Sequence, residues 1–196
     1  MKDLRSIADF LFEVGMLAKT PRSWTSFLGS GKQSVSEHLT RTMYIGYVLA
    51  SLHKNADLNK VLKMCLFHDL SEARISDLNY VHQKYTERKE RKAVHDLTKV
   101  LPFGENMRSI MEEYEKRQSI ESRLAKDADN IEFLLSLKEQ VDVGNTRAHN
   151  WIKPLLERLV TREGKAVAEA IVRTDSDHWW FADKEDSWWI NRDKKK

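Results

Sequence analysis

The 196-residue chain is poor in cysteine, proline and glycine, with one, three and seven of each, and each scarcity excludes something. One cysteine cannot form an internal disulfide. Cys65 lies in the apolar run Val61-Leu62-Lys63-Met64-Cys65-Leu66-Phe67, where a buried, inert thiol is the expected state. Few turn residues and no clean two-residue alternation count against a sheet. No uninterrupted apolar segment is long enough to cross a bilayer, and no N-terminal stretch joins a basic start, an apolar core and a cleavage site. The expected compartment is therefore the cytoplasm, with no membrane partner. A surplus of one charge is also missing: 33 Lys and Arg stand against 30 Asp and Glu, and the formal net charge of +3 is matched by Lys194 to Lys196 alone. Those lysines read as a solvated basic terminus. Lys84, Arg88, Lys89, Arg91 and Lys92 form a basic stretch, but Glu87 and Glu90 interrupt it. That is the pattern of a solvated helix face with internal ion pairs, so nucleic acid is not expected as a partner.

What the chain does have is helical spacing and an ordinary globular composition, 41% apolar and 32% charged. Leu4, Ile7, Ala8, Leu11, Val14 and Leu17 predict a first helix ending before Thr20-Pro21. A loop follows through Gly29 and Gly31. Ser34 and Glu37 stand in the S-x-x-E relation of a capping box, which predicts a second helix to about His53. A third spans about Leu58 to Glu72. Further helices are predicted near 86–100, 105–116, 120–141, 151–161 and 165–180, with Pro154 placed in a first helical turn. No repeat, low-complexity block or linker divides the chain. One all-α helical domain over 1–196 is the reading.

Of seven histidines, His53, His82, His95 and His149 lie in polar surroundings and read as surface residues. His38 and His68 differ, because each sits on an apolar helix face. His38 lines up with Thr42, Ile45, Leu49 and Leu52, while His68 follows Val61 and Met64 and is joined to Asp69. A buried aspartate costs several kcal/mol unless it is paired or binds a cation. Alone, His68 could be a hydrogen-bonded core histidine and Asp69 a cap. The second imidazole of His38, the two carboxylates of Lys126-Asp127-Ala128-Asp129, and Glu72 one turn beyond His68 shift that balance. Two imidazoles and two carboxylates suit Mn, Co, Fe, Ni or Zn better than Mg or Ca.

Ser34-Val35-Ser36-Glu37-His38, Phe67-His68-Asp69-Leu70-Ser71-Glu72, Asp77-Leu78 and Lys126-Asp127-Ala128-Asp129 together resemble the H…HD…D pattern of the HD-domain superfamily, most closely its 5'-deoxynucleotidase branch. The resemblance spans positions 22 to about 135, with the C-terminal helices and a Trp-rich tail occupying about 149–196. It implies an HD-type helical bundle that binds one divalent transition metal and releases phosphate from (deoxy)nucleoside 5'-monophosphates. His38, His68, Asp69 and one of Asp127 and Asp129 would be its ligands. Helical periodicity with Leu124, Ile131 and Leu134 favours Asp127, whereas the family's motif favours Asp129, which has Phe133, Leu137 and Val141 on its own face. We take Asp129. The resemblance further implies Glu72 as general acid or base, and Asp77 as a second acid/base or sugar-binding group. It resembles the family's Arg-Trp element in Arg22-Ser23-Trp24, with one residue inserted: Arg22 would clamp phosphate and Trp24 would meet the base or sugar. Asn79 and Tyr80 would also line the pocket, and relatives imply a homodimer.

Two other readings compete. A phosphodiesterase or pyrophosphohydrolase of the same superfamily would need more cations around the site, and near His68 in sequence only Arg74 follows. A non-catalytic metal-binding scaffold could use the aromatic tail, His178-Trp179-Trp180-Phe181 and Trp188-Trp189-Ile190, as a partner surface. More often such a cluster packs back on its own core.

Overall fold

The computed structural model describes residues 4–194, and every regular element among them is helical, apart from an isolated antiparallel bridge between Pro21 and Ser34. The solvated basic terminus read from the sequence falls, beyond Lys194, outside the described residues. Helix α1 (Leu4–Val14) runs into a 3-10 turn at Gly15–Ala18, and α2 (Thr25–Leu28) is a single turn inside the loop that the bridge closes. Helix α3 (Val35–Leu52) opens on the expected capping box: Ser34 Oγ accepts from the Glu37 N–H at 3.2 Å, and Glu37 Oε2 accepts from the Ser34 N–H at 2.6 Å. Helix α4 (Leu58–Phe67) starts at an Asp57 cap. The chain continues through α5 (Glu72–Ile75), α6 (His82–Tyr85), α7 (Glu90–Thr98), α8 (Gly104–Lys116), α9 (Ile120–Asp142), α10 (Thr146–Leu156), α11 (Arg162–Arg173), α12 (His178–Phe181) and α13 (Ser187–Asn191).

Several boundaries differ from the sequence-based expectation, each for a local reason. The third helix does not reach Glu72. It ends at Phe67, and a tight turn in which Leu70 N–H bonds Phe67 O and Glu72 N–H bonds Asp69 O precedes α5. The helix expected near 86–100 is confined to α7, and the single turn α6 stands before it at His82–Tyr85. Helix α10 begins at Thr146, capped by Asn145, so Pro154 sits in its last turn, where a missing N–H costs one bond near an end that is already closing. Leu52, expected on the apolar face of α3, is 55% exposed because α3 ends beside it.

Helix α9 is the axis of the bundle, packed by α3, α4, α8, α10 and α11. Leu124, Ala125, Ala128, Ile131, Leu134 and Leu137 on it are all fully or almost fully buried. Each buried Leu or Ile contributes about 1.5–3 kcal/mol relative to an exposed one. Where α3 meets α4, Gly46 faces Cys65: a Cβ at 46 would lie 2.6 Å from Cys65 Sγ. Gly46→Ala gains helix propensity but overpacks this contact, so a net loss of about 1–3 kcal/mol is expected in urea unfolding. Adding Cys65→Ala should recover most of it, and an additive double mutant would show that the contact is not the cause.

The aromatic tail does not return to the core. Trp180, Phe181 and Trp189 stack on one another with centroids 5.1–6.0 Å apart, while Trp179 and Trp188 are 84% and 68% exposed.

Candidate metal centre

Three elements deliver the site. His38 comes from the first turn of α3, His68 and Asp69 from the turn after α4, and Asp129 from the middle of α9. The Nε2 atoms of His38 and His68 stand 3.3 Å apart. Asp69 Oδ2 lies 3.4 Å from His38 Nε2 and 3.5 Å from His68 Nε2. Asp129 Oδ1 lies 3.3 Å and 3.8 Å from the same two atoms.

Both ring orientations are set from behind. His68 Nδ1 lies 3.0 Å from the Cys65 carbonyl, which can only accept, so Nδ1 carries the proton. His38 Nδ1 lies 2.5 Å from Glu132 Oε2 and is protonated likewise. The two Nε2 atoms therefore face each other and two carboxylate oxygens across a buried gap. A proton on His38 or a bound cation satisfies that arrangement, and paired imidazole and carboxylate donors suit a divalent ion. Burial and Arg22 oppose charge on His38, yet Asp129, Asp69 and Glu132 outweigh them and hold its pKa well above the ordinary value. Burial likewise opposes ionisation of Asp69, but His68, His38 and Arg22 keep its carboxyl far below the usual range. Asp129 is held well below its ordinary value too, against burial, by Lys126 and the two histidines.

Asp127 points elsewhere. It is fully buried and accepts from the Val160 N–H at 3.1 Å, the Thr161 N–H at 2.8 Å and Thr161 Oγ1 at 2.6 Å. The missing side chain of Gly164 makes room for it, since a Cβ there would stand 2.5 Å from Asp127 Oδ2. Asp127 thus ties α9 to the start of α11.

Glu72 is 5% exposed and Oε2 has no hydrogen-bond partner. Desolvation, with Asp69 and Asp77 adding like charge, pushes its pKa up to about 9. Arg22 Nη1 lies 3.2 Å from both Asp69 Oδ2 and Asp77 Oδ2, which hold its charge against burial. Asp77 also accepts from Ser23 N–H and Ser23 Oγ, both at 3.0 Å, so its two oxygens are engaged. Ser76, with φ 63°, makes the sharp exit from α5 that returns Asp77 to the Arg22 loop. Trp24 is 8% exposed, donates from Nε1 to Gln33 at 3.3 Å and packs on Phe133, acting as core and cavity wall at once.

These groups open on a cavity of about 870 Å³. Tyr80 lines it. Asn79 does not: its Oδ1 instead accepts from the Val81 and His82 N–H groups and starts α6. Part of its lining is aromatic, built from Trp24, Phe27, Phe133 and Trp151, with neighbouring centroids 6.2–6.4 Å apart. Arg88, Arg117, Lys126 and Arg158, supplied by separate segments, add basic groups to it. The shortage of cations around His68 in the sequence is therefore corrected by the fold.

Sequence reasoning also missed Glu132, which is completely buried between His38, Arg41 Nε at 2.8 Å and Gln33 Nε2 at 2.6 Å. Its one sequence signal is the three-residue step from Asp129, which puts both carboxylates on the same side of α9. Arg41 and Gln33 have no such signal.

Comparison with protein families matches residues 14–172 to a family described as the HD domain. The chain is 30% identical over 147 residues to the 5'-deoxynucleotidase HDDC2 of Bos taurus, covering 72% of this chain and 71% of that protein. It is 27% identical over 206 aligned positions to the 5'-deoxynucleotidase hdd1 of Schizosaccharomyces pombe, covering 97% of this chain and 96% of that one. Among solved structures, a conserved hypothetical protein from Pyrococcus furiosus superposes with a TM-score of 0.71 at 30% identity, over 85% of this chain and 99% of the other.

Proposed function

The chain belongs to the HD-domain family, and on that premise we propose that it is a 5'-deoxynucleotidase that hydrolyses deoxynucleoside 5'-monophosphates to nucleoside and inorganic phosphate. One observation carries the reading: two imidazole nitrogens and two carboxylates converge beside an unpartnered, buried Glu72 Oε2, on a cavity lined by both aromatic and basic side chains. His38, His68, Asp69 and Asp129 would hold a single divalent transition metal. A cation bound there supplies positive charge against phosphoryl oxygens and lowers the pKa of adjacent water.

The remaining work falls to the chain. Glu72 keeps a proton on Oε2 at neutral pH and donates it to the departing 5' oxygen as the P–O bond breaks and water supplies the new oxygen. Arg22, braced by Asp69 and Asp77, keeps a fixed guanidinium at the wall, and Asp77 offers its outer lone pairs to a sugar hydroxyl. Trp24, Phe27, Phe133 and Trp151 present flat apolar surface to base and sugar. Glu132 is a positioning residue that holds His38 in the tautomer a ligand requires.

We take the whole chain as one HD-type domain, as a homodimer on the family resemblance, and the cytoplasm as its default compartment. Among the described residues no helix is long and apolar enough to cross a membrane.

Phosphate release from a panel of deoxy- and ribonucleoside 5'-monophosphates, with Mn or Co added, tests the function. The wild type should turn over at least one deoxynucleotide and His68→Ala none. A wild type that retains metal yet hydrolyses nothing on the panel would favour a scaffold.

A further inference from the structure

The metal set leaves a charge problem that the proposed ligands do not solve. A divalent cation between Asp69 and Asp129 is already neutralised by them, and Arg22 is shared between Asp69 and Asp77. A phosphate monoester dianion entering this site needs further positive charge. Lys126 Nζ is committed to Asp129 Oδ2 at 2.6 Å.

Arg117 is only loosely engaged and is held at an unusual cost. It terminates α8 with φ 53°, in the left-handed region where a side chain is strained. Glycine would occupy that position without penalty, yet an arginine stands there. Its Nη1 is buried without a hydrogen-bond partner. The carboxylate paired with it is the exposed Glu115, 3.7 Å from Nη2. The guanidinium stacks 3.5 Å from the centroid of the Tyr114 ring. Tyr114 in turn packs on the His68 ring at 5.3 Å and points its hydroxyl at Asp129 Oδ2, 3.4 Å away. Arg117 is thus fixed one aromatic ring from the metal set, on the wall of the same cavity. Arg158 stands on that wall too, with no side-chain partner among the described residues.

We propose that Arg117, assisted by Arg158, is a phosphate-binding residue of this enzyme, receiving the non-bridging oxygens of the substrate phosphoryl group and then the inorganic phosphate product. The unsatisfied Nη1 gains a partner when an oxyanion arrives, and the left-handed backbone at the end of α8 is what turns the side chain onto Tyr114. This inference rests on the phosphomonoesterase reading.

The test uses metal-loaded, full-length protein and two variants, Arg117→Ala and Arg117→Gly. Glycine relieves the left-handed strain, so Arg117→Gly should melt at or above the wild-type temperature and guards against a folding artefact. Both variants should raise KM for a deoxynucleoside monophosphate, and the inhibition constant of inorganic phosphate, by about ten- to hundredfold. Metal content and inhibition by free nucleoside should stay unchanged, which a general loosening of the site would not allow. Arg158→Ala should move the same constants in the same direction by less. A folded, metal-loaded Arg117→Gly with both constants within about twofold of wild type would overturn the proposal. If the wild type hydrolyses no monophosphate, the reading of function fails separately. Calorimetric titration with inorganic phosphate then still decides the point: binding lost in Arg117→Gly supports it, and equal binding, or none by the wild type, overturns it.

Discussion

Asp129→Ala is expected to abolish retention of a divalent cation while leaving the chain folded, and Asp127→Ala to do the opposite. The two carboxylates are two residues apart on α9 and serve different ends. Asp129 is beside both Nε2 atoms, whereas Asp127 accepts from Val160 and twice from the buried Thr161 at the start of α11. Removing Asp127 strands the two buried Thr161 donors, a loss of about 3–5 kcal/mol. For a chain of this size that lowers Tm by roughly 10 °C. Elemental analysis after desalting and a melting curve on each variant separate the two roles. Metal lost from Asp127→Ala at a temperature where it remains folded would reassign the ligand.

Glu72→Gln should lower kcat by about 10²–10⁴-fold with metal content intact, because the amide matches the shape and cannot donate an acidic proton. A second expectation concerns the metal-free protein. Burial and the neighbouring Asp69 and Asp77 lift Glu72 from 4.5 to about 9, so the folded state holds a proton that the unfolded state releases across that window. The stability this group contributes is fully present below pH 4.5 and lost as pH rises towards 9. Glutamine removes the dependence. Chelated Glu72→Gln should therefore melt above the chelated wild type at pH 8 and converge with it near pH 5, with an upper bound of ~3 kcal/mol at neutral pH. Parallel melting curves across that range would show that Glu72 is not the proton-holding group.

Much of the scaffold is legible in the chain because its signals are local. The Ser34–Glu37 capping box and the apolar spacing of α3 and α4 depend only on neighbours within a turn or two. The order of His38, His68-Asp69 and Asp129 is likewise readable, as a motif. The break after Phe67 was not, since Glu72 keeps helical spacing with His68 across a turn that is not helical. Pro154 misled for a related reason: proline is tolerated near either end of a helix, and only the packing of α10 on α9 shows which end it occupies.

Residue order alone established an all-helical chain with a few chemically apt side chains at apolar positions, because helix caps and periodicity act over a few ångströms along one segment. The choice between Asp127 and Asp129, the support of His38 by Glu132, and the basic wall assembled from Arg88, Arg117, Lys126 and Arg158 belong to the tertiary structure. Over residues 124–138 helix α9 has no exposed position, so no solvent face there lets periodicity tell one carboxylate's direction from the other's. Which neighbour a buried charge meets is decided by elements up to a hundred residues away, and that pairing leaves no trace in local spacing.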